Sequence, residues 1–464
     1  MPPGKRRSRS TPGAPALSCA GVSLRALGWV IAFSPSPAIG RSLHPRPKDQ
    51  QRTITEEIMS RVPAALLTFL SFISPTATFA ESIEVLAVRT FVPDSALKSF
   101  EAAYPDIKVK KLPDAQDYDD LTERLLRNDV TGDLPDVIFQ GYNRAKMTYS
   151  RGLVALLDPY LSGDAEWARE SYVPTSDALC HFNDQSYGLP YVISVPVVYY
   201  NLDLMEEAGL DTEHLPTTWE GITGAAAMIS ARHGGAVGAI FDYLASGNWT
   251  YTALINSQGG RMLSDDDAKI AFNGAEGLRG LNVLKMFGEA GQIDMDRSQA
   301  FQAFSSGSVG LLVSSSGFLT NLTKQANFDF RVAPFPLEAD GKLPAGGSCI
   351  MMTSKDPEKQ KAAWTFMKFM SEVEMQRVMF DTTGYVPGNK IAVEKIVAET
   401  DPADNRLVAV EAARSAIDWF SFPGANSLRI TDVIKAHLRD VITLKASPKD
   451  AMNRMSEEVQ ELLD

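Results

Sequence analysis

The chain has 464 residues, of which 44% are hydrophobic and 22% charged, and its formal net charge is −12. This balance excludes a fibrous or broadly disordered protein and gives ample length for two lobes. An acidic surface repels phosphate backbones, so nucleic acid is not expected as a partner.

A secretory signal peptide is predicted over residues 59–80. It has a basic residue, Arg61, then an apolar run over residues 63–73, and it ends in the small residues Thr78 and Ala80. This order is typical of export signals that are cleaved after the last small residue. A core helix or a membrane anchor is the alternative, but the apolar run is too short to span a bilayer comfortably.

Residues 1–58 are excluded from the predicted fold, because they are rich in Arg, Pro and Ser and show no periodic pattern. A signal peptide should begin at the chain terminus, so Met59 is interpreted as the initiator. Cleavage would leave a mature chain that begins at Glu81. The loss of ten basic and three acidic residues would change the formal net charge from −12 to about −19.

The cysteine pattern predicts a freely diffusing protein without a lipid anchor. The mature chain keeps only Cys180 and Cys349, and neither lies at the cleavage point, where bacterial lipoproteins carry their lipid anchor. Two cysteines build no disulfide framework, and the sequence leaves open whether they pair.

The mature chain begins with alternating strand and helix patterns. Residues 82–88 combine β-branched and apolar residues, and an apolar stripe at helical spacing follows over residues 97–104. Residues 107–112 alternate again, a leucine stripe follows, and residues 135–139 form a short buried strand. This βαβαβ order predicts an open sheet with parallel strands and covering helices.

An apolar run over residues 187–200 contains prolines, which favours a strand that crosses between lobes over one simple strand. Later segments continue the pattern, with helices predicted at 203–209, 219–232, 359–380 and 431–463 and short strands at 309–313 and 349–352.

Catalytic signatures are absent from the sequence: there is no H-E-x-x-H, G-x-S-x-G, G-x-x-x-x-G-K-[ST] or G-x-G-x-x-G motif. The mature histidines have no metal-ligand spacing; they are His181, His214, His233 and His437. We therefore expect no enzyme, no cofactor and no metal. Two alternatives stay open: a secreted carbohydrate-active hydrolase with a pair of cleft carboxylates, and a scaffold or adhesin without a small ligand.

Short segments along the chain carry a resemblance to a known family; they are residues 196–201, 203–210, 216–219, 346–347 and 383–387. Their order and spacing resemble family 1 of the bacterial extracellular solute-binding proteins, in the branch that binds glycerol 3-phosphate and maltose. The resemblance implies an α/β fold of two lobes, each an open mixed sheet flanked by helices, joined by a hinge with the ligand between them.

The same resemblance implies the lobe boundaries. Lobe 1 would hold residues 81–193 and about 347–385, and lobe 2 would hold residues 194–346 and about 386–464. The function implied is that of a periplasmic component of an ABC import system. It would capture a sugar, a polyol or a glycerol-phosphate-like solute as a monomer and deliver it to an inner-membrane permease with a separate ATPase subunit.

Eight residues correspond to ligand contacts of the glycerol-3-phosphate branch: Tyr118, Tyr142, Ser194, Trp249, Ser316, Gly347, Tyr385 and Arg429. Aromatic rings suit the C–H face of a polyol, and serines and backbone amides pair its hydroxyls. An arginine and glycine amides would suit a phosphate.

Several of these assignments have alternatives. Tyr142 stands where the family branch has a carboxylate, and Tyr243 competes with Trp249 for the position of a cleft tryptophan. Tyr385 is alternatively a packed loop residue, and Arg429 a partner in a surface salt bridge. Two neighbouring serines, Ser315 and Ser316, are alternatively helix caps.

Overall fold

Two β-sheets organise the computed structural model, which describes residues 81–88, 91–172 and 178–464. The predicted signal peptide and the N-terminal extension lie outside the described residues. Both sheets lie in one compact unit. In the described part of the chain, no helix combines the length and apolarity needed to cross a membrane.

The first sheet has six strands in the order β12-β6-β11-β3-β1-β2. Their bounds are β1 (Glu81–Leu86), β2 (Ile107–Lys111), β3 (Val137–Gly141), β6 (Leu189–Ser194), β11 (Gly346–Met352) and β12 (Val386–Pro387). Strand β1 is parallel to β2 and β3, whereas β11 is antiparallel to β3 and β6. The predicted βαβαβ start of the chain is confirmed, and the late strand β11 makes the sheet mixed.

The second sheet has four strands in the order β10-β7-β9-β8. Their bounds are β7 (Pro196–Asn201), β8 (Val237–Phe241), β9 (Val309–Ser315) and β10 (Phe330–Pro334). Strand β8 is parallel to β9, and β7 is antiparallel to β9 and β10. A separate hairpin consists of β4 (His181–Phe182) and β5 (Gln185–Ser186). We call the first sheet with its helices lobe 1 and the second sheet with its helices lobe 2.

Helices cover both sheets. In the first half of the chain they are α1 (Asp94–Ala103), α2 (Tyr118–Thr131), α3 (Tyr142–Ser150), α4 (Asp158–Gly163), α5 (Ala165–Ser171), α6 (Leu202–Glu207) and α7 (Trp219–Arg232). The next are α8 (Trp249–Asn256), α9 (Ala275–Glu289), α10 (Arg297–Ser305), α11 (Leu319–Gln325), α12 (Pro357–Met370) and α13 (Val373–Thr383). The last are α14 (Lys390–Glu399), α15 (Arg406–Ala413), α16 (Ser427–Ile442) and α17 (Pro448–Leu463), and short 3₁₀ turns lie at Ala178–Cys180, Ser246–Asn248 and Ser316–Phe318.

The predicted crossing strand consists of two strands. Strand β6 leads into β7 through Val195, which is fully buried. The backbone N–H of Val195 donates to Ser316 Oγ at 3.2 Å, and the N–H of Ser316 donates to the Val195 carbonyl at 2.9 Å. These two bonds fix the crossing to the end of the second sheet, so the connection between lobes is short and well anchored.

Two predicted helices are each divided in the structure. The segment 359–380 contains α12 and α13, which are separated at Ser371 and Glu372. The fully buried Ser371 donates through Oγ to the Met367 carbonyl and accepts from Asn389 through its own carbonyl, which ends the first helix. The segment 431–463 is likewise divided between α16 and α17, and Leu444 in the connection has a φ of +59°.

Helix α14 packs against α5 and α13 beside the first sheet, whereas α16 and α17 pack against α9 beside the second. We therefore propose that the chain returns to lobe 2 after α14 rather than near residue 386.

Cys180 and Cys349 form a disulfide, which answers the question that the sequence leaves open. It ties the 3₁₀ turn at Ala178–Cys180 to strand β11.

Candidate ligand-binding cleft

The candidate site lies where strand ends of the two sheets meet. In the first sheet, Ser348 lies opposite Gly141, and Gly346 lies opposite Ser194. In the second sheet, Ser315 ends β9 opposite Pro196, directly after the crossing. Ligands of open α/β sheets bind at such strand ends, because loops and helix starts leave room for them there.

An aromatic wall connects the two lobes. Tyr118 begins α2 because Asp117 caps the helix, accepting from the N–H groups of Asp119 and Asp120. Its ring centroid lies 6.0 Å from that of Trp419, which lies 5.8 Å from that of Trp249. All three rings are nearly buried. A wall of this kind can receive the C–H face of a polyol or sugar.

Four side chains around this wall carry buried polar atoms with no hydrogen-bond partner among the described residues. They are Tyr118 Oη, Asn143 Oδ1 and Nδ2, Ser348 Oγ and Trp419 Nε1. Buried polar groups in folded proteins are normally paired, and each unpaired group costs about 1–3 kcal/mol. Donors and acceptors left unpaired in one place favour a ligand that carries several hydroxyl or phosphate oxygens.

Two glycines let these groups approach each other. A Cβ atom at Gly141 would lie 2.6 Å from Tyr118 Cγ and 2.8 Å from Asn143 Oδ1, so only glycine leaves room for both side chains. On the opposite side, Gly247 of lobe 2 lies against the Asn143 amide and has a φ of +60°. The cleft is therefore narrow at this point, and both lobes contribute to it.

The hinge side of the cleft is rich in hydroxyl groups. A Cβ at Gly346 would lie 2.6 Å from Ser194 Oγ, and the backbone at Gly317 lies directly against the ring of Tyr385. Burial raises the pKa of the Tyr385 hydroxyl, and the guanidinium of Arg297 acts in the opposite direction. This tyrosine thus stays protonated and can donate a hydrogen bond near the hinge.

Two candidate hydroxyls already have structural partners. Tyr142 Oη donates to the Val192 carbonyl at 3.2 Å, and burial raises its pKa far above the ordinary value. Ser316 Oγ accepts from the N–H of Val195 in the crossing between the lobes. The neighbouring Ser315 Oγ accepts from the Gly317 N–H at 3.1 Å, as the capping alternative predicts. These side chains shape the cleft through their structural bonds.

Gly347 and Trp249 are two further residues predicted to contact the ligand. Gly347 has a φ of +124°, a conformation that favours glycine, and its neighbour across the sheet is Ile193. Trp249 Nε1 donates to the Pro344 carbonyl at 3.0 Å while its ring faces Trp419. The alternative to Trp249, Tyr243, is instead bonded to Asp294. The structure thus favours Trp249 as the cleft aromatic.

Arg429 does not lie with the other candidates. It is exposed in the first turn of α16 and has no hydrogen bond or ion pair with another described residue. The structure thus supports neither the anion contact nor the surface salt bridge suggested for it. Among the described residues, no group of three or more His, Cys, Asp or Glu side chains is arranged to hold a metal.

Sequence reasoning missed Asn143, Ser348 and Trp419. Ser348 directly follows the glycine pair at residues 346–347, and Asn143 directly follows Tyr142. Each therefore lies next to a residue that the sequence predicts as a ligand contact. Trp419 lies in the connection before α16 and carries no pattern that separates it from a core aromatic. Only the fold brings it beside Tyr118.

Comparisons with known proteins identify the family and the fold of the chain. A model of the family described as bacterial extracellular solute-binding protein matches residues 95–405. The sn-glycerol-3-phosphate-binding periplasmic protein UgpB of Escherichia coli (strain K12) is 26% identical over 400 residues, covering 80% of this chain and 89% of the relative.

Solved structures show the same fold. UgpB from Mycobacterium tuberculosis in complex with glycerophosphocholine superimposes with a TM-score of 0.72 at 21% identity, covering 82% of this chain and 98% of that one. Maltose-bound MalE3 from T. maritima gives a TM-score of 0.71 at 20% identity, covering 82% and 100%. The predicted α/β periplasmic-binding-protein fold is confirmed.

The matched family consists of solute-binding components of ABC transporters and not of enzymes. The prediction that the chain does no chemistry is thus confirmed, and the hydrolase alternative is wrong. The scaffold or adhesin hypothesis falls with it, because solute binding is the role of the family. This chain belongs to the bacterial extracellular solute-binding protein family of ABC transporters.

Proposed function

We propose that this protein captures a sugar, a polyol or a glycerol-phosphate-like solute in the periplasm. It then delivers the solute, as a monomer, to an inner-membrane ABC permease with a separate ATPase subunit. The relatives support the solute class, since one is named for sn-glycerol 3-phosphate and the matched structures hold glycerophosphocholine and maltose.

The observation that carries this proposal is the group of unpaired buried polar atoms beside an aromatic wall. Tyr118 Oη, Ser348 Oγ, Trp419 Nε1 and the Asn143 amide provide donors and acceptors for solute hydroxyls. The rings of Tyr118 and Trp419 provide an apolar surface for the carbon skeleton. A small polar solute satisfies both features, whereas a purely apolar ligand would leave the polar atoms unpaired.

Closure of the lobes would carry the signal to the permease. Ligand can shift the equilibrium between open and closed forms only if it binds the closed form more tightly. The contributions of both lobes to the cleft, Asn143 from one side and Gly247 from the other, support such a difference. An open form separates these residues and so loses part of the site.

Export through the signal at residues 59–80 is part of the proposal. N-terminal sequencing of protein from the native periplasm should give Glu81, or a residue within one or two of it, as the first residue. A mature product that keeps residues before Met59 would contradict both the start site and the export route.

The function itself is tested by mass spectrometry of small molecules released when native periplasmic protein is denatured. We expect a sugar, polyol or phosphorylated polyol. The pure solute should then raise the melting temperature and lower the radius of gyration in small-angle scattering, without a change in oligomeric state. Absence of any released or stabilising solute would contradict the proposed role.

A further inference from the structure

Arg297, a residue outside the predicted site, is held rigidly at the start of α10. Its Nε donates to Asp242 Oδ2 at 2.7 Å, and Ser314 Oγ donates to the same oxygen at 2.7 Å. The Asp242 side chain is only 2% exposed. Burial alone would lower the pKa of Arg297, but the Asp242 carboxylate raises it above the ordinary value. The side chain is therefore charged and fixed in position.

The guanidinium is also fixed by aromatic rings. Its Cζ lies 4.9 Å from the ring centroid of Phe318 and 5.9 Å from that of Phe301. Those two rings stack with centroids 3.8 Å apart. Arginine stacks well on aromatic faces because its guanidinium is planar and weakly hydrated.

Two donor groups of Arg297 stay free. Nε is bonded to Asp242, but the terminal Nη1 and Nη2 groups have no hydrogen-bond partner among the residues that the structure describes. The Arg297 side chain as a whole is 30% exposed, so it is not sealed in the core. A guanidinium with its Nη atoms free matches two oxygens of one phosphate or carboxylate.

The surroundings place these donors beside the hinge side of the cleft. Phe318, on which the guanidinium stacks, follows Gly317, and Gly317 lies against the ring of Tyr385. The charge of Arg297 also acts on the pKa of the Tyr385 hydroxyl, and Asp117 at the start of α2 in turn acts on Arg297. Charged and polar groups of both lobes thus act on its guanidinium.

We infer that Arg297 is the specificity-determining residue for an anionic group of the solute, which its Nη1 and Nη2 atoms bind as a fork. The inference rests on the proposed function and narrows it to solutes that carry a phosphate or a carboxylate. Because the guanidinium is already ordered by Asp242 and Phe318, binding costs little side-chain entropy.

Calorimetry on three variants tests the inference, with sn-glycerol 3-phosphate, inorganic phosphate and maltose as probes. We expect Arg297→Met to weaken binding of sn-glycerol 3-phosphate by more than about tenfold. Arg297→Lys should recover part of the loss, because it keeps the charge but not the planar fork. The matched control Arg127→Met removes an arginine that is 63% exposed and lies outside the proposed site, so it should leave the affinity unchanged.

The outcomes separate the inference from the proposed function. Wild-type affinity for the phosphate probes in Arg297→Met would overturn the inference, as would a wild-type protein that binds maltose but neither phosphate probe. Either result leaves a solute-binding role in place. Arg297→Met could also lower the melting temperature of the protein without solute. In that case the affinity of Arg297→Lys is the deciding measurement. Wild-type affinity for the phosphate probes in Arg297→Lys would then overturn the inference. A wild-type protein that yields no released solute and binds no probe contradicts the proposed function instead.

Discussion

The Nζ atom of Lys435 lies 3.1 Å from Oδ2 of Asp119, and this ion pair joins α16 of lobe 2 to α2 of lobe 1. Arg144, which is 1% exposed, also binds Asp119 at 2.9 Å. Arg144 donates in turn to Ser427 Oγ at 2.7 Å and to Thr431 Oγ1 at 3.3 Å, both on α16. We call these five residues the latch, because their bonds cross between the lobes.

The first prediction concerns Lys435→Met in the latch. The variant removes a partly buried ion pair of about 1 kcal/mol, so the closed form should be less populated. The apparent affinity for the solute should fall about fivefold, measured by calorimetry. Lys445→Met is the control, because Lys445 is exposed and makes no ion pair within the described part of the chain. An equal loss of solute affinity in Lys435→Met and Lys445→Met would contradict a role of the latch in closing the lobes.

The second prediction concerns acid. Burial alone would raise the pKa of Asp119, but Arg144 and Lys435 together bring it below the ordinary value of 3.8. A depressed pKa in the folded state stabilises the protein at pH values above the ordinary one, and this stability is lost as the pH falls through the depressed value.

Melting temperatures of wild type and Asp119→Asn should therefore differ at neutral pH and converge only as the pH falls through the depressed pKa of Asp119, where the wild-type carboxylate becomes protonated. A difference that stays constant down to the lowest pH would contradict this assignment of the charge.

The third prediction separates ligand contact from stability. Tyr118→Phe removes a buried hydroxyl with no partner, so the protein without solute should be equally or more stable. Affinity for the solute should fall by about 1–1.5 kcal/mol, measured by calorimetry. The control is Tyr191→Phe, whose hydroxyl donates to the Phe91 carbonyl at 2.8 Å. It should lower stability by about 1 kcal/mol and leave solute affinity unchanged.

The fourth prediction concerns the disulfide between Cys180 and Cys349. It closes a loop with a sequence separation of 169 residues, so its loss should lower the free energy of unfolding by about 2–4 kcal/mol. Denaturant unfolding of the Cys180→Ser, Cys349→Ser double variant measures this change. Two titratable thiols in denatured wild-type protein from the periplasm would show that the bond does not form in the cell.

The architecture was largely predictable from the sequence because the strand and helix patterns are local. Residues 82–88, 107–112 and 135–139 alternate or are uniformly apolar, as strands with buried faces must be. The division of the predicted helix 359–380 was not predictable, because the buried Ser371 interrupts it without glycine or proline. A serine at the surface of a continuous helix would look the same in sequence.

The site was less predictable because it depends on which side chains face the cleft. Arg429 and Arg297 look alike in sequence, since each lies near the start of a helix. The first points to solvent, and the second is held by a buried carboxylate from a distant strand end. Neither orientation follows from spacing along the chain.

The order of strands in the first sheet has a consequence for how the protein is made. Strand β6 pairs only with β11 and β12 among the described strands, and both are synthesised after the entire second sheet. Synthesis runs from the N-terminus to the C-terminus. The chain therefore cannot complete the sheet of lobe 1 until residue 387 has been synthesised. The first sheet therefore stays incomplete, with β6 unpaired, until most of the chain has been synthesised.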